Sequence, residues 1–196
     1  MTKIAVVYHS GFGHTEVLAH RLAEGARSVE GATASLCKVT DLAAPTDEGY
    51  SDAWSDVNEA DAIVFGSPTY MGTVSAPFKV FMDNSAKAWF GQSWKDKLAG
   101  GFTNSGSPSG DKLNTLTTIA IFASQHSMLW VPPGVMPASP GEEGPNRLGA
   151  MLGTMAQSDN ASPDVTPPES DRLFAEGYGK RMATLAKALS PALKTL

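Results

Sequence analysis

The feature that most constrains the fold is a repeated unit: an apolar run, a loop of small polar residues, and then a helical pattern. Continuous apolar runs of this length are typical of strands buried on both faces of a parallel sheet. The predicted strands cover residues 3–8, 32–39, 61–66, 98–103 and 128–131. Alternation of such strands with helices predicts a three-layer α/β fold with an open doubly wound sheet, in one domain over 1–196.

Composition excludes several classes of function. The chain has 196 residues and a formal net charge of −5. Because nucleic-acid binding needs clustered Lys and Arg, we expect no nucleic acid partner. The single cysteine, Cys37, excludes an internal disulfide, and we expect it to be an inert core residue and expect no metal site. We find no membrane span or signal peptide, so we expect a cytoplasmic protein without membrane contact.

The first loop has the composition of a phosphate-binding turn. In an open parallel sheet, the loops that follow the strands gather at the carboxyl edge, where ligands bind. Glycines and hydroxyl groups here precede a helix, whose N-terminal amides favour an anion. The loop has no lysine, which excludes a nucleoside-triphosphate P-loop and favours a monophosphate ester. A plain capped turn is the alternative. The candidate cofactor-binding residues are Ser10, Gly11, Phe12, Gly13, His14 and Thr15.

The second and third loops carry no charged residue, which suits a neutral heteroaromatic ring approached by main-chain groups. Ordinary polar turns are the alternative for each loop taken alone. The candidates in the second loop are Pro68, Thr69, Tyr70, Met71 and Gly72. Those in the third loop are Asn104, Ser105, Gly106, Ser107 and Ser109.

A dinucleotide-binding fingerprint is a competing interpretation of the first loop. Gly11 and Gly13 match its first two glycines, but Glu16 stands at the third position. Lys38 stands near the place of the acidic residue that binds ribose in that fingerprint. Both departures argue against a Rossmann-type nicotinamide site.

Taken in order, the three loops resemble those of the flavodoxin-like FMN proteins. The motifs are Ser10-Gly11-Phe12-Gly13-His14-Thr15, Gly66-Ser67-Pro68-Thr69-Tyr70-Met71-Gly72 and Asn104-Ser105-Gly106-Ser107. The chain is most similar to the tryptophan-repressor-binding-protein type of NAD(P)H:quinone oxidoreductase and its FMN-reductase relatives, over about residues 1–190. This resemblance implies a five-stranded sheet in the order 2-1-3-4-5 and bound FMN. It also implies reduction of quinones by NADH or NADPH, and a homo-oligomer, dimer or tetramer, whose sites neighbouring subunits complete.

The resemblance also implies roles for individual residues. The first loop would hold the FMN phosphate, the second would line the ring, and the third would bind the ring edge and ribityl chain. Phe12 and Trp89 would border the nicotinamide or quinone. Gln125 and His126 stand where the family often has His-His, which implies cofactor contact for Gln125 and proton delivery near the flavin for His126. A dipole-favoured histidine at a helix C-terminus is the alternative for His126.

Three functions remain open on the sequence alone. They are an FMN-dependent NAD(P)H:quinone oxidoreductase, a flavodoxin-type electron carrier without NAD(P)H turnover, and a flavin-free scaffold. The proline- and glycine-rich segment 132–168 shows no strong period, and such long segments are often functional. We expect this segment, with a short amphipathic helical turn at 147–155, to build the substrate pocket and a subunit interface. A final helix is predicted from 168 to about 189.

Overall fold

A seven-stranded sheet with helices on both faces forms the centre of the protein in the computed structural model, which describes residues 1–139 and 144–195. The strands are β1 Thr2–Tyr8, β2 Ala32–Lys38, β3 Ala62–Tyr70, β4 Thr73–Val74, β5 Leu98–Ser105, β6 Leu129–Trp130 and β7 Thr154–Gln157. The helices are α1 His14–Arg27, α2 Ser55–Asn58, α3 Ala76–Asn84, α4 Ala86–Phe90, α5 Lys112–Gln125 and α6 Glu169–Leu193. The predicted final helix is confirmed and continues to Leu193.

The main path of the sheet is entirely parallel and follows the order β2-β1-β3-β5-β6. Because β4 is a two-residue antiparallel strand beside the end of β3, this is the predicted order 2-1-3-4-5 of the five parallel strands. The order reverses between β1 and β3, which is the topological switch point where ligands bind in such sheets.

The fifth strand position is shared by two short strands. β6 pairs with the start of β5 at Leu98–Ala99, and β7 pairs with its end at Phe102–Ser105. The prediction that the whole segment 132–168 is irregular was therefore wrong. The expected helical turn at 147–155 is also absent from the described structure, which has turns at 145–148 and places Met155 in β7. The rest of that expectation touches residues 140–143, which lie outside the described residues.

The alternation of side chains along β1 explains its continuous apolar run. Ile4 and Val6 face the core layer beneath α1 and α6, whereas Ala5 and Val7 face the layer beneath α3 and α5. A strand covered on both faces has no polar side to expose, so every position from Ile4 to Tyr8 is buried.

The aromatic residues divide between core and surface. Trp54 and Trp94 are fully buried, whereas Trp89 and Phe90 belong to the short helix α4 and are exposed over 44% and 86% of their surface. Cys37 is buried as predicted, and burial raises the pKa of its thiol to about 12, so it is not a reactive thiolate. None of the helices in the described ranges is long and apolar enough to cross a membrane.

Candidate functional site

A cavity of about 590 Å³ opens at the carboxyl edge of the sheet, where the loops after β1, β3 and β5 converge. Its volume lies within the range of about 300–1,000 Å³ that small-molecule sites occupy. Residues from the three predicted loops line it: Ser10, Gly11, Phe12, His14, Thr15, Pro68, Thr69, Tyr70, Asn104, Ser105 and Gly106. A fourth segment, 158–163 after β7, completes the wall with Ser158, Asn160, Ala161, Ser162 and Pro163.

The first loop brings the N-terminus of α1 to the cavity. Ser10 Oγ accepts hydrogen bonds from the amides of Gly13 at 3.1 Å and Glu16 at 3.2 Å, which folds the loop around the start of the helix. Gly13 has a φ of 91°, a conformation that side chains disfavour, and a Cβ there would lie 2.8 Å from Pro163 Cγ. The first-turn amides of a helix lack intrahelical acceptors, so this end of α1 suits an anion.

Within residues 1–139 and 144–195, no free lysine supports this anion cradle, although Lys38 lies nearby at the end of β2. Its Nζ is 3.2 Å from Glu16 Oε1, and Tyr8 donates a hydrogen bond to the same oxygen at 2.9 Å. Glu16, which departs from the dinucleotide fingerprint, therefore pairs with Lys38. The cradle consists of neutral donors and the helix dipole, the chemistry that the sequence predicted for a monophosphate.

The second loop forms the aromatic wall of the cavity. Met71 and Gly72, with φ values of 48° and 84°, turn the chain between β3 and β4, the pattern of a type I′ turn. The rings of Phe12 and Tyr70 make an edge contact with their centroids 6.3 Å apart. Gly11 permits this approach of the two loops, because a Cβ there would lie 2.5 Å from the Tyr70 hydroxyl.

Hydrogen bonds behind the second loop fix its position on the sheet. The Thr69 hydroxyl lies 2.9 Å from that of Thr103 on β5 and 2.8 Å from that of Thr115 on α5. Thr69 thus lines the cavity, while its hydroxyl group links β3 to β5 and α5. The sequence predicted the first of these roles but not the second.

The third loop is held from two sides. Toward β7, Asn104 hydrogen-bonds with the Ser158 hydroxyl at 3.1 Å. Toward α5, the buried Nζ of Lys112 donates to Ser105 Oγ at 2.8 Å and to the carbonyls of Ser107 at 2.8 Å and Pro108 at 2.9 Å. Burial lowers the pKa of Lys112 to about 8.

Segment 158–163 belongs to the segment 132–168 that we expected to build the substrate pocket, although none of its residues was predicted individually. His14 Nε2 lies 2.7 Å from the Ala161 carbonyl oxygen, which joins this segment to the first loop. A Cβ on Gly106 would lie 2.9 Å from Asn160 Oδ1, so the segment also packs against the third loop. A usable signal was present: small polar residues follow a short alternating run, as they do after the other strands.

Several predicted residues lie beside the cavity rather than in its wall. Gly13 shapes the first loop, and Met71 and Gly72 form the turn that follows Tyr70. Ser107 holds Lys112 through its carbonyl. Ser109 lines a separate groove on the outer side of the third loop, together with Arg147 and Met151.

Trp89, Gln125 and His126 were expected at the flavin, and the structure places them at the other end of the sheet. The three line a separate hollow of about 240 Å³. The reason is topological: α5 starts after the carboxyl end of β5 and runs back, so its last residue lies near the start of β6. Within one subunit, these three residues are therefore remote from the cavity. Their contact with flavin or substrate stays a prediction for a site that a neighbouring subunit completes.

His126 has a structural environment of its own. Its Nε2 lies 2.9 Å from Ser85 Oγ, which itself donates to the Met82 carbonyl, so Nε2 carries the proton. The ring packs against Trp94 and Phe122, with centroid distances of 4.3 and 4.9 Å. Burial lowers the pKa of the imidazole to about 4, which keeps it neutral. A neutral ring in an aromatic pocket is part of the core.

Metal-ligating side chains are not clustered in the part of the chain that the structure describes: no group of three or more His, Cys, Asp or Glu is placed to hold an ion. The cavity thus combines a helix N-terminus, neutral polar loops and an aromatic wall at a topological switch point. These features define an α/β protein of the mononucleotide-binding, flavodoxin-like class.

Comparison with known proteins gives the family within this class. The chain belongs to the NADPH-dependent FMN reductase family, whose family model matches residues 2–143. Flavodoxin FldP of Pseudomonas aeruginosa is 38% identical over 96% of this chain and 99% of its own length. Quinone-oxidoreductase QR2 of Triphysaria versicolor is 35% identical over 68% of this chain and 70% of its own length.

A solved structure agrees with the family. A flavodoxin, WrbA-like protein from Agrobacterium tumefaciens superimposes with a TM-score of 0.72 at 39% identity, covering 96% of this chain and 99% of that one. An archaeal flavodoxin at 19% identity and a TM-score of 0.65 shares the fold. The predicted flavodoxin-like fold and family are confirmed.

Proposed function

We propose that this protein is an FMN-dependent NAD(P)H:quinone oxidoreductase, transferring two electrons from NADH or NADPH to a quinone. The observation that carries the proposal is that one cavity brings the N-terminus of α1 together with loops that form an aromatic wall. Membership of the FMN reductase family and similarity to a protein named quinone oxidoreductase support it.

The dimensions of the sheet suit FMN in one orientation. Its phosphate would bind the amides at the start of α1, beside Ser10 and Thr15. The loops after β3 and β5 lie one and two strands away from β1, so the far wall is about 10 Å from the phosphate position. The ring would therefore lie between the second and third loops, with Tyr70 beside it.

The exposure of the aromatic wall suits exchange of substrates. Bound FMN would accept a hydride from the nicotinamide and pass two electrons to the quinone. Phe12 is exposed over 74% of its surface, so the cavity is open to solvent where it stands. We propose that Phe12 borders both substrates in turn, which predicts ping-pong kinetics.

A flavodoxin-type electron carrier is the second candidate. The relative with 38% identity over nearly the whole chain is named a flavodoxin, and this observation favours the alternative. Both functions need the same FMN site and differ only in whether reduced nicotinamide reacts with the bound flavin. A cytoplasmic homo-oligomer remains a prediction for either function.

One anaerobic experiment separates the candidates. The purified protein is reconstituted with FMN, mixed with NADH or NADPH under anaerobic conditions, and then mixed with 1,4-benzoquinone. We expect the flavin absorbance to bleach rapidly when NADH or NADPH is added and to return when the quinone is added. Bound flavin that neither nicotinamide reduces would support the carrier, and failure to bind FMN would contradict both functions.

A further inference from the structure

The feature that the proposed function does not use is the buried ammonium group of Lys112. Its side chain is 1% exposed, and its Nζ has three acceptors, all in the third loop: Ser105 Oγ and the carbonyls of Ser107 and Pro108. All three N–H groups of the ammonium are thereby satisfied. Since Ser105 lines the cavity, the charge lies one hydrogen bond behind the cavity wall.

This position is unfavourable for a cation in two respects. Lys112 is the first residue of α5, where the helix dipole opposes positive charge. Burial opposes the charge as well and lowers the pKa of the group to about 8. A charge kept at a doubly unfavourable position suggests a task that a neutral side chain cannot perform.

In the described part of the chain, no carboxylate contacts the Lys112 ammonium. Asp171 of α6 is nearby, but its two oxygens pair with Arg147 at 2.8 and 2.9 Å. Asp159, which follows β7, acts on Lys112 through its charge without contacting it, and Asp111 precedes Lys112. With Asp171 paired to Arg147, the Lys112 ammonium is the charge in direct contact with the third loop.

We infer that Lys112 is a positioning residue for FMN: it clamps the third loop into the cavity wall and stabilises the negative charge of the reduced flavin. The inference rests on the FMN site proposed above. The third loop follows β5, which lies two strands from β1 and the proposed phosphate position. This loop would therefore border the FMN ring, which becomes anionic when it is reduced. A cation behind that wall favours the reduced ligand more than the oxidised one.

The test compares two lysine substitutions at opposite ends of β5. Lys112→Met removes the ammonium and keeps an unbranched apolar stem. Lys97→Met is the matched control, because Lys97 is half-buried, has a pKa lowered to about 8, and donates to the Asn58 carbonyl at the opposite edge of the sheet. For each protein, the dissociation constant of oxidised FMN and the midpoint potential of the bound flavin are measured.

We expect Lys112→Met to weaken the binding of oxidised FMN by about tenfold, because the loop loses charge-assisted hydrogen bonds. Its midpoint potential becomes more negative than that of the wild type, because reduced FMN loses more affinity than oxidised FMN. A purely structural role would not move the potential in this direction. Lys97→Met should leave both quantities unchanged.

A pH series on the unmodified protein covers the case in which Lys112→Met does not fold. An anionic ligand favours protonated Lys112, so affinity for FMN should fall as pH rises from 7.5 to 9.5 through the pKa of about 8. Unchanged wild-type affinity over this range would overturn the inference. Where Lys112→Met folds, the fall should be absent from it, which separates Lys112 from the titration of FMN itself.

Three further outcomes count against the inference. Unchanged affinity and potential in Lys112→Met overturns it and leaves the proposed function standing. Weaker binding with an unchanged potential overturns the electrostatic role. If the wild-type protein binds no FMN, the proposed function fails and this inference fails with it.

Discussion

At the scale of single residues, the buried imidazole of His126 makes stability depend on pH. Its pKa is about 4 in the folded protein and near 6.5 when unfolded, so the unfolded chain binds more protons between these values. Its contribution to the free energy of unfolding is therefore complete above pH 6.5 and is lost as pH falls toward 4. Two and a half pKa units correspond to about 3 kcal/mol at most.

Urea denaturation at pH 7 and pH 4.5, in wild type and His126→Phe, tests this prediction. Phenylalanine retains contact with Trp94 and Phe122 but cannot titrate. We expect the wild type to lose about 2 kcal/mol more than the variant over this range, since carboxylate titration is common to both. Equal losses in the two proteins would mean that His126 is accessible to protons in the folded state.

The first loop gives a second prediction at this scale. Thr15 is 1% exposed and lines the cavity at the start of α1, so Thr15→Glu would place a carboxylate against the proposed phosphate. We expect the affinity for FMN to fall at least about a hundredfold, through direct repulsion. The control is Thr117→Glu, which adds the same charge at an exposed position of α5 outside the cavity. Normal FMN binding by folded Thr15→Glu would place the phosphate elsewhere.

At the scale of elements, the contact between α1 and α6 depends on two glycines. A Cβ on Gly25 would lie 1.8 Å from the Glu176 carbonyl oxygen, and a Cβ on Gly179 would lie 1.9 Å from that of Leu22. The two backbones therefore pack directly on each other, and a methyl group forces the helices apart. We expect Gly25→Ala to lower the free energy of unfolding by about 2 kcal/mol or more.

Gly177→Ala, on the partner helix α6, provides the control. Gly177 is exposed, and a Cβ there would meet no atom of the described residues within 4 Å beyond its own stretch of helix. Alanine should therefore stabilise α6 by up to about 1 kcal/mol through helix propensity. Opposite signs for the two alanines in thermal unfolding are the expected result. Destabilisation by both would indicate that backbone flexibility, rather than helix contact, decides the effect.

At the scale of the whole molecule, exposed aromatic residues predict self-association. Phe90 and Trp89 lie side by side on α4, and an apolar pair in water favours contact with another surface. We expect sedimentation velocity to give a mass of at least twice the 20.6 kDa of one chain. Phe90→Ser should lower that mass, whereas Leu189→Ser, on the exposed side of α6, should not. A monomeric wild type would contradict the prediction.

The sequence by itself determined the layers of the fold and most of the cavity wall. In runs such as 4–8, every position is buried because both faces of the strand are covered, and this signal is local. Parallel strands then bring their following loops to one edge, so Ser10, Tyr70 and Ser105 could be grouped before any coordinates were known.

Which distant segments lie in the cavity wall and which lie away from it depends on the folded chain. β7 is four residues long, and its pairing with β5 spans about fifty residues of chain. Composition therefore pointed to the whole segment 132–168, and only the fold showed that 158–163 is the part that closes the cavity. The position of His126 within one subunit could not be predicted, because motif resemblance carries no information about which end of a helix faces which edge of the sheet. Lys112 was missed because its importance depends on burial and on three acceptors in a loop, which exist only once the chain has folded.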